Sequence, residues 1–304
     1  MMKLLSLRTF LIGTAVSLSV GLSAQAASKA LDLDNPADAL VAMRKLQCHL
    51  EDGKPAFYSW SGEVFARRRG EADKKLFKVL GMNVRACKSL DDPKTGKGFR
   101  LVSREVLVYL DPATGQVLRR WANPWTGKEV EVLHVANDPV NNNFGSIGRD
   151  GKPMPSAFTS MGNAAFVSFT VPLFYPNPLA GEYQPQVGGT YHATEMFNFS
   201  MDKAKLVSPK TKSVDDAVIS WTRISQWLPW MEMGDRDGIL YFSTVGARVP
   251  DFEALPDILK TEIRTNYPVY TEAPPLDDAR RNETSWTYYK KVMEERRASA
   301  PKAN

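Results

Sequence analysis

The spacing of apolar residues divides the chain into three stretches of different period. Residues 35–46 form a short helical candidate, with Asn35 placed to cap it and Pro36 at the first helical position. From there to about Val249 the pattern is that of strands. Segments 57–67 (FYSWSGEVFAR), 99–110 (FRLVSREVLVYL), 116–121, 128–136, 166–174, 190–199, 217–227 and 238–246 are short, rich in β-branched and aromatic residues, and bounded by turn formers. Residues 76–87 (LFKVLGMNVRAC) are a weaker ninth strand candidate. Beyond Pro250 the helical period returns. Phe252, Leu255, Leu259 and Ile263 share one face of a helix that ends before Pro268, and Trp286, Tyr289 and Met293 form the stripe of a second helix over about 278–299. An extended connector with three prolines, 267–275, joins them.

One five-residue phrase punctuates the strands three times: Asp92-Pro93-Lys94-Thr95-Gly96, Asp111-Pro112-Ala113-Thr114-Gly115 and Asn123-Pro124-Trp125-Thr126-Gly127. Asp or Asn caps such a turn with its side chain, Pro presets the next φ, and Gly accepts the left-handed conformation that returns the chain. Successive hairpins predict a meander over about 78–136. The strands between the turns are not self-similar, so the phrase marks no repeat architecture.

So many strands with so little helix between them predict a mainly β protein. The expected form is an antiparallel meander closing into a β-barrel, lipocalin-like in shape, with a short N-terminal helix and two C-terminal helices at about 250–299 packed on it. Gly62 and Gly81 suit the bends that closure needs. Residues 137–155 (NDPVNNNFGSIGRDGKPMP) are too polar for a strand and read as a long loop at the mouth of a pocket.

The first 26 residues read as an address. Lys3 and Arg8 precede an uncharged stretch, 9–22, and Ala24-Gln25-Ala26 follows, the three parts of a secretory signal. The stretch is short for a bilayer span. The mature chain is therefore expected to begin near Ala27, as one domain over 27–304 with no integral membrane segment, in the periplasm or outside the cell.

Loss of Lys3 and Arg8 lowers the formal net charge from +5 to +3, and residues 280–304 alone carry +4, which leaves −1 on the rest of the mature chain. The basic balance belongs to a tail, which suits a solvated helix face or weak contact with anionic lipid. No basic groove interleaved with aromatics is present, so a nucleic-acid partner is not expected. The two cysteines, Cys48 and Cys87, are an even pair for an oxidising compartment and lack redox or zinc spacing, so a structural disulfide is expected. Two separate buried thiols are the other reading.

No nucleophile elbow, H-E-x-x-H, Walker loop or dinucleotide fingerprint occurs. Candidate chemistry must come from polar residues on faces due for burial. Strict alternation puts His134 with Val130, Val132 and Ala136, just ahead of Asn137 and Asp138 at the strand end, an arrangement suited to a general base or to holding a polar head group. The other reading is a core histidine beside a turn. In strand 190–199, His192, Thr194, Met196 and Asn198 oppose Tyr191, Glu195, Phe197 and Phe199, and either face can be the inner one. The stretch 221–236 (WTRISQWLPWMEMGDR) gathers Trp221, Arg223, Gln226, Trp227, Trp230 and Glu232. Arg223 falls between indoles there, suited to cation–π contact or an anionic head group; a hydrophobic belt under the terminal helices is the plainer reading. The three histidines, His49, His134 and His192, can meet on zinc or iron only with a register that sequence does not fix. No metal or cofactor is assigned.

The run YLDPATGQVLRRWANPWTGKEVEVLHVANDPVNN, 109–142, resembles the recurring core of a bacterial family of exported proteins, domain of unknown function 1838. The likeness extends from about Ala39 to the end of the second C-terminal helix. It rests on two D/N-P-x-T-G turns and H-V-x-N-D-P-V at this spacing. The resemblance implies no known activity and transfers no catalytic residue.

Three functional expectations follow. The first is an exported barrel that binds a small amphipathic or aromatic molecule, with Trp221, Trp227 and Trp230 as walls and His134, Asn137, Asp138, His192, Glu195, Arg223, Gln226 and Glu232 as polar contacts. The second is a metal-independent lyase, isomerase or hydrolase using a His134/Asp138 acid–base pair. The third is an interaction module built on the basic tail.

Overall fold

The computed structural model describes residues 29–176, 179, 183 and 190–299. The expected leader lies outside them. Helix α1 (Pro36–Gln47) opens the described chain, and the Asn35 side chain accepts from the backbone N–H groups of Ala37 and Asp38, satisfying two of the helix's orphan donors. Strands β1 (Ala56–Arg67), β2 (Lys74–Asp92), β3 (Gly96–Leu110), β4 (Arg120–Ala122), β5 (Glu129–Glu131), β6 (Val135–Asn137), β7 (Asn142–Gly145), β8 (Phe158–Met161), β9 (Ala164–Pro176) and β10 (Thr190–Asp202) follow. Then come α2 (Lys203–Val207), β11 (Val218–Ser225), β12 (Ile239–Val249), α3 (Asp257–Asn266) and α4 (Ser285–Ser299).

The protein is mainly β and its paired strands are antiparallel. One sheet runs β6-β3-β2-β1-β12-β11-β10-β9-β8, with β7 also on β3, and β4-β5 is a separate hairpin. The three D/N-P-x-T-G turns form as expected. Asp92, Asp111 and Asn123 each accept from two following backbone N–H groups, and Gly96, Gly115 and Gly127 take φ of 71°, 72° and 67°.

Several expectations are corrected. The large sheet is an open path from β6 and β7 to β8, so no sheet is closed into a barrel among the described residues. Closure requires strand tilt and stagger to agree around the whole ring, a non-local condition. The weak ninth candidate lies within β2, the longest strand, because residues 78–92 pair with β3 and residues 74–85 pair with β1. The expected strand 128–136 is broken into β5 and β6, with His134 between them. The expected loop 137–155 contains β7. The second C-terminal helix starts at Ser285, not near 278.

The sheet curls, and its two faces have different covers. On the outer face, Phe57, Met82, Val84, Val106, Val108 and Ala136 pack against Phe252, Leu255, Leu259, Ile263 and Tyr270 of the C-terminal segment. The single helix expected from Pro250 is split: Phe252 lies in a short 3-10 turn, the backbone is extended at Leu255 and Pro256, and only Leu259 and Ile263 of the expected face stand on α3, where Pro256 precedes the first turn. The inner face is filled from both ends. At one, α1 inserts Ala42, Met43 and Leu46 against Tyr58, Phe99, Phe199 and the Cys48–Cys87 disulfide. At the other, Trp227, Leu228, Trp230 and Met231 pack with Trp286 and Tyr289 of α4. Trp60 and Phe197 touch both clusters and mark the region between them.

Candidate functional site

Between the two inner clusters lies a cavity lined by Trp60 of β1, Asn83 and Arg85 of β2, Glu105, Val106, Leu107 and Tyr109 of β3, Val135 of β6, Glu195 and Phe197 of β10, Ile219, Trp221 and Arg223 of β11, and Phe242 of β12. Its free volume is about 50 Å³. The register explains why these side chains converge. Gly81 stands opposite Trp60 and Leu107, Asn83 opposite Glu105, Arg223 opposite both Glu195 and Phe242, and Trp221 opposite Phe197, so neighbouring strands present them on one face. Gly81 is glycine for a steric reason: a Cβ there would come within 2.3 Å of the Trp60 indole.

The walls are aromatic. Trp221 packs on Trp60 (6.1 Å between ring centres), Phe197 (6.4 Å) and Phe242 (5.6 Å). Four charged side chains interrupt them. Arg223 donates from Nη2 to the Tyr191 hydroxyl at 2.8 Å and from Nη1 to Ser285 Oγ at 3.4 Å, stands 3.5 Å from Glu195 Oε1, and lies over the Phe242 ring. Burial opposes its charge, but the groups around it, Tyr191 and Glu195 foremost, hold its pKa above the usual arginine value. Arg85 donates to Asn83 Oδ1 at 2.6 Å and to Gln47 and lies over Tyr58; burial lowers its pKa to about 10, so it stays cationic.

Glu105 is the unusual group. Its Oε1 accepts from Asn137 Nδ2 at 2.6 Å, and no arginine among the described residues bonds it. Burial, reinforced by the facing charge of Glu195, pushes its pKa up to about 7, against the pull of Asn137, Arg223 and Arg85. Four donors in this lining are buried with no partner among the described residues: Trp60 Nε1, Trp221 Nε1, Arg223 Nε and the Tyr109 hydroxyl. Burial also keeps the Tyr109 phenol protonated.

Residues 53–293 match the family model described as Protein of unknown function (DUF1838). The chain belongs to this family. No curated protein matches it. Solved structures with partial likeness include Ail, the attachment invasion locus protein of Yersinia pestis, at 6% identity over 66% of this chain and 100% of that one, with a TM-score of 0.19. Another is a LolA superfamily protein from Nitrosomonas europaea, at 8% identity over 73% of this chain and 97% of that one, with a TM-score of 0.17. Scores this low supply no shared fold to argue from.

In this DUF1838 protein the recurring phrase contributes Tyr109 and Val135 to the cavity, and Asn137 to the support of Glu105. The expected His134/Asp138 pair is not assembled. His134 is buried; its Nδ1 accepts from the Tyr109 N–H at 3.2 Å, its Nε2 has no partner among the described residues, and burial lowers its pKa to about 4, so it is neutral. Asp138 instead joins Arg104 (3.1 Å) and Arg280 (2.7 Å). The cause is the break between β5 and β6, which removes the alternation that would have aligned His134 with its neighbours.

Of the other expected contacts, Trp221, Arg223 and Glu195 line the cavity. His192 is exposed on the outer face against Phe174, and Gln226 pairs with its backbone. Trp227 and Trp230 are not in the cavity lining. Trp227 donates to the Arg236 carbonyl and packs on Trp125, and Trp230 packs on Phe77, Tyr109 and Trp121, the belt under α4. Glu232 pairs with Lys128 at 3.2 Å. His49 follows α1, and no group of His, Cys, Asp or Glu among the described residues is arranged to hold a metal. Sequence reasoning missed Trp60, Asn83, Arg85, Glu105, Tyr109, Phe197 and Phe242 as site residues. Alternation within β3 does place Glu105 in a row with Phe99, Leu101, Leu107 and Tyr109, a carboxyl among apolar neighbours, which was the available signal.

Proposed function

We propose that this protein binds a small amphipathic or aromatic molecule in the cavity of its curled sheet. The observation that carries the reading is a cavity with four aromatic walls, Trp60, Phe197, Trp221 and Phe242, and a few charged groups set among them, the usual composition of a small-molecule site. Its free volume of about 50 Å³ is smaller than the roughly 150 Å³ of a cavity that holds one aromatic ring, so the aromatic side chains must part to admit one. Export is part of the same proposal. The Cys48–Cys87 disulfide suits an oxidising compartment, and no helix among the described residues is long and apolar enough to cross a membrane.

A His134/Asp138 enzyme has less support, because His134 is sealed in the core and Asp138 is held by two arginines. The basic tail also has less support as a docking arm. Arg296 pairs with Glu131, Lys291 with Glu283, and Trp286 anchors α4 in the core.

Native mass spectrometry of protein purified from its own cells, followed by denaturation and identification of what is released, tests the binding reading. A small organic molecule is expected on the wild type and absent from a Leu107→Trp variant that fills the cavity. A wild-type protein of bare polypeptide mass, together with no uptake of any small aromatic probe, would overturn it.

A further inference from the structure

The C-terminal segment covers the outer face of the sheet over β1, β2, β3 and β6, and leaves that face of β9–β12 bare among the described residues. Phe174, Val218, Ile224 and Val245 point outward there and are 73%, 47%, 40% and 64% exposed. The register aligns the outward residues of these strands in rows, from Pro172 across to Tyr241 at one end and from Phe166 across to Ala247 at the other. In none of these rows does β9, β10, β11 or β12 carry an Asp, Glu, Lys or Arg. The polar groups are hydroxyls and the Asn198 amide, set between aliphatic and aromatic side chains. Charge returns only at the margins. Glu63 pairs with Lys75 on the β1–β2 side, and Lys205 pairs with Asp216 beyond the Ser200–Val218 end. An uncharged centre inside a charged rim is the usual anatomy of an interface.

In a chain of which 24% is charged, contact with water alone does not account for such a field, because charged side chains are the ones ordinarily turned to solvent. Its chemistry restricts what can cover it. A charged partner would find no counter-charge. A hydrocarbon surface would strip water from the hydroxyls and supply no acceptor. A second copy meets neither obstacle. A hydroxyl both donates and accepts, so it pairs with its own kind. An uncharged face also carries none of the like-charge repulsion that a two-fold contact sets up near its axis.

The size agrees with a dimer. Four strands about 4.8 Å apart, followed from Phe166 to Phe174 at about 3.4 Å per residue, give roughly 600 Å² per copy, so two copies would bury roughly 1,200 Å², the lower end of a specific interface. We propose that this face of β9–β12 is the interface of a two-fold homodimer, packed sheet against sheet. The curl of the sheet makes the face convex, so the contact centres on Met196 of β10 and Thr222 of β11, which stand opposite each other in its middle row. The modest area makes the dimer a reversible one. The inference does not depend on what the cavity binds.

The experiment is sedimentation velocity of the full mature chain at rising concentration, up to about 200 μM. A monomer–dimer exchange with a Kd of about 1–100 μM is expected. Thr222→Lys and Thr222→Glu should each weaken the dimer at least about tenfold, since each brings two like charges together near the axis, while circular dichroism and the thermal midpoint stay close to the wild type. Mixed in equal amounts, the two variants should associate again, because the axis then joins a lysine to a glutamate. A wild type that stays monomeric throughout the range overturns the proposal, and one that instead binds vesicles or a neutral polysaccharide, with Thr222→Lys abolishing the binding, gives the face to that partner. A dimer indifferent to both substitutions overturns it too, by placing the interface elsewhere. Variants that dissociate but fail to associate when mixed would show that the substitutions act by distorting the strand, and would also overturn self-packing at this face.

Discussion

Glu105 of β3 and Glu195 of β10 are separated by four strands along the hydrogen-bonded ladder, yet they meet across one cavity, where the charge of one raises the pKa of the other. Only a strongly curled sheet can do this. The curl turns a row of residues that would be far apart on a flat sheet into the two sides of a site.

The first prediction concerns stability and pH. Folding raises the Glu105 pKa from 4.5 to about 7, so the native state holds a proton that the unfolded chain has released. Stability therefore falls as pH rises from about 4.5 to 7, by up to about 3 kcal/mol at about 1.4 kcal/mol per unit. Glu105→Gln, which keeps the shape and cannot ionise, should gain on the wild type by that amount between pH 4.5 and 8 in urea unfolding. An offset between the two proteins that is the same at both pH values would show that Glu105 is not raised.

His134 has the opposite sign. Its folded pKa is lowered from 6.5 to about 4, so its contribution is complete above pH 6.5 and is lost as pH falls through that window, by up to about 3 kcal/mol. His134→Gln retains an acceptor for the Tyr109 N–H and should be less acid-sensitive than the wild type. Denaturation midpoints at pH 7 and pH 4 are the comparison, and parallel losses in both proteins would exclude the effect.

Gly81 and Trp60 supply a steric test. A methyl at position 81 would lie 2.3 Å from the indole, which must move into the cavity or push β2 outward. Gly81→Ala should cost about 1–3 kcal/mol, the range for overpacking, and should change the tryptophan emission of the folded protein. An unchanged spectrum with unchanged stability would mean that the indole does not lie across Gly81.

The disulfide ties the end of α1 to β2, closing a separation of 39 residues among buried neighbours. By chain entropy this contributes about 4 kcal/mol. Cys48→Ala with Cys87→Ala should lower the unfolding free energy by about 2–4 kcal/mol, and a reductant should have no effect on that double variant. A fall much smaller than this would mean that α1 docking alone orders that end of the sheet.

What could be read from the sequence alone was set by short-range chemistry. The three D/N-P-x-T-G turns formed because an Asp or Asn side chain and a left-handed glycine act within five residues. Helix α1 began where Asn35 caps it, Leu259 and Ile263 of α3 packed on the sheet as their spacing gave, and the run 109–142 identified the family. Trp221 and Arg223 were legible as site residues because β11 alternates without a break.

Tertiary structure decided the rest, through conditions that no local window contains. Both faces of β2 and β3 are covered, so alternation did not tell which face lines a cavity: Glu105 stood in an apolar row, but nothing local set it, Asn83 or Arg85 apart from structural residues. One interruption between β5 and β6 took His134 away from Asp138, and the packing of α4 drew Trp227 and Trp230 into its belt. Whether the sheet closes, and which carboxyls face each other inside it, depends on the summed twist and register of all its strands. Those are properties of pairing between distant segments, and only the folded chain fixes them.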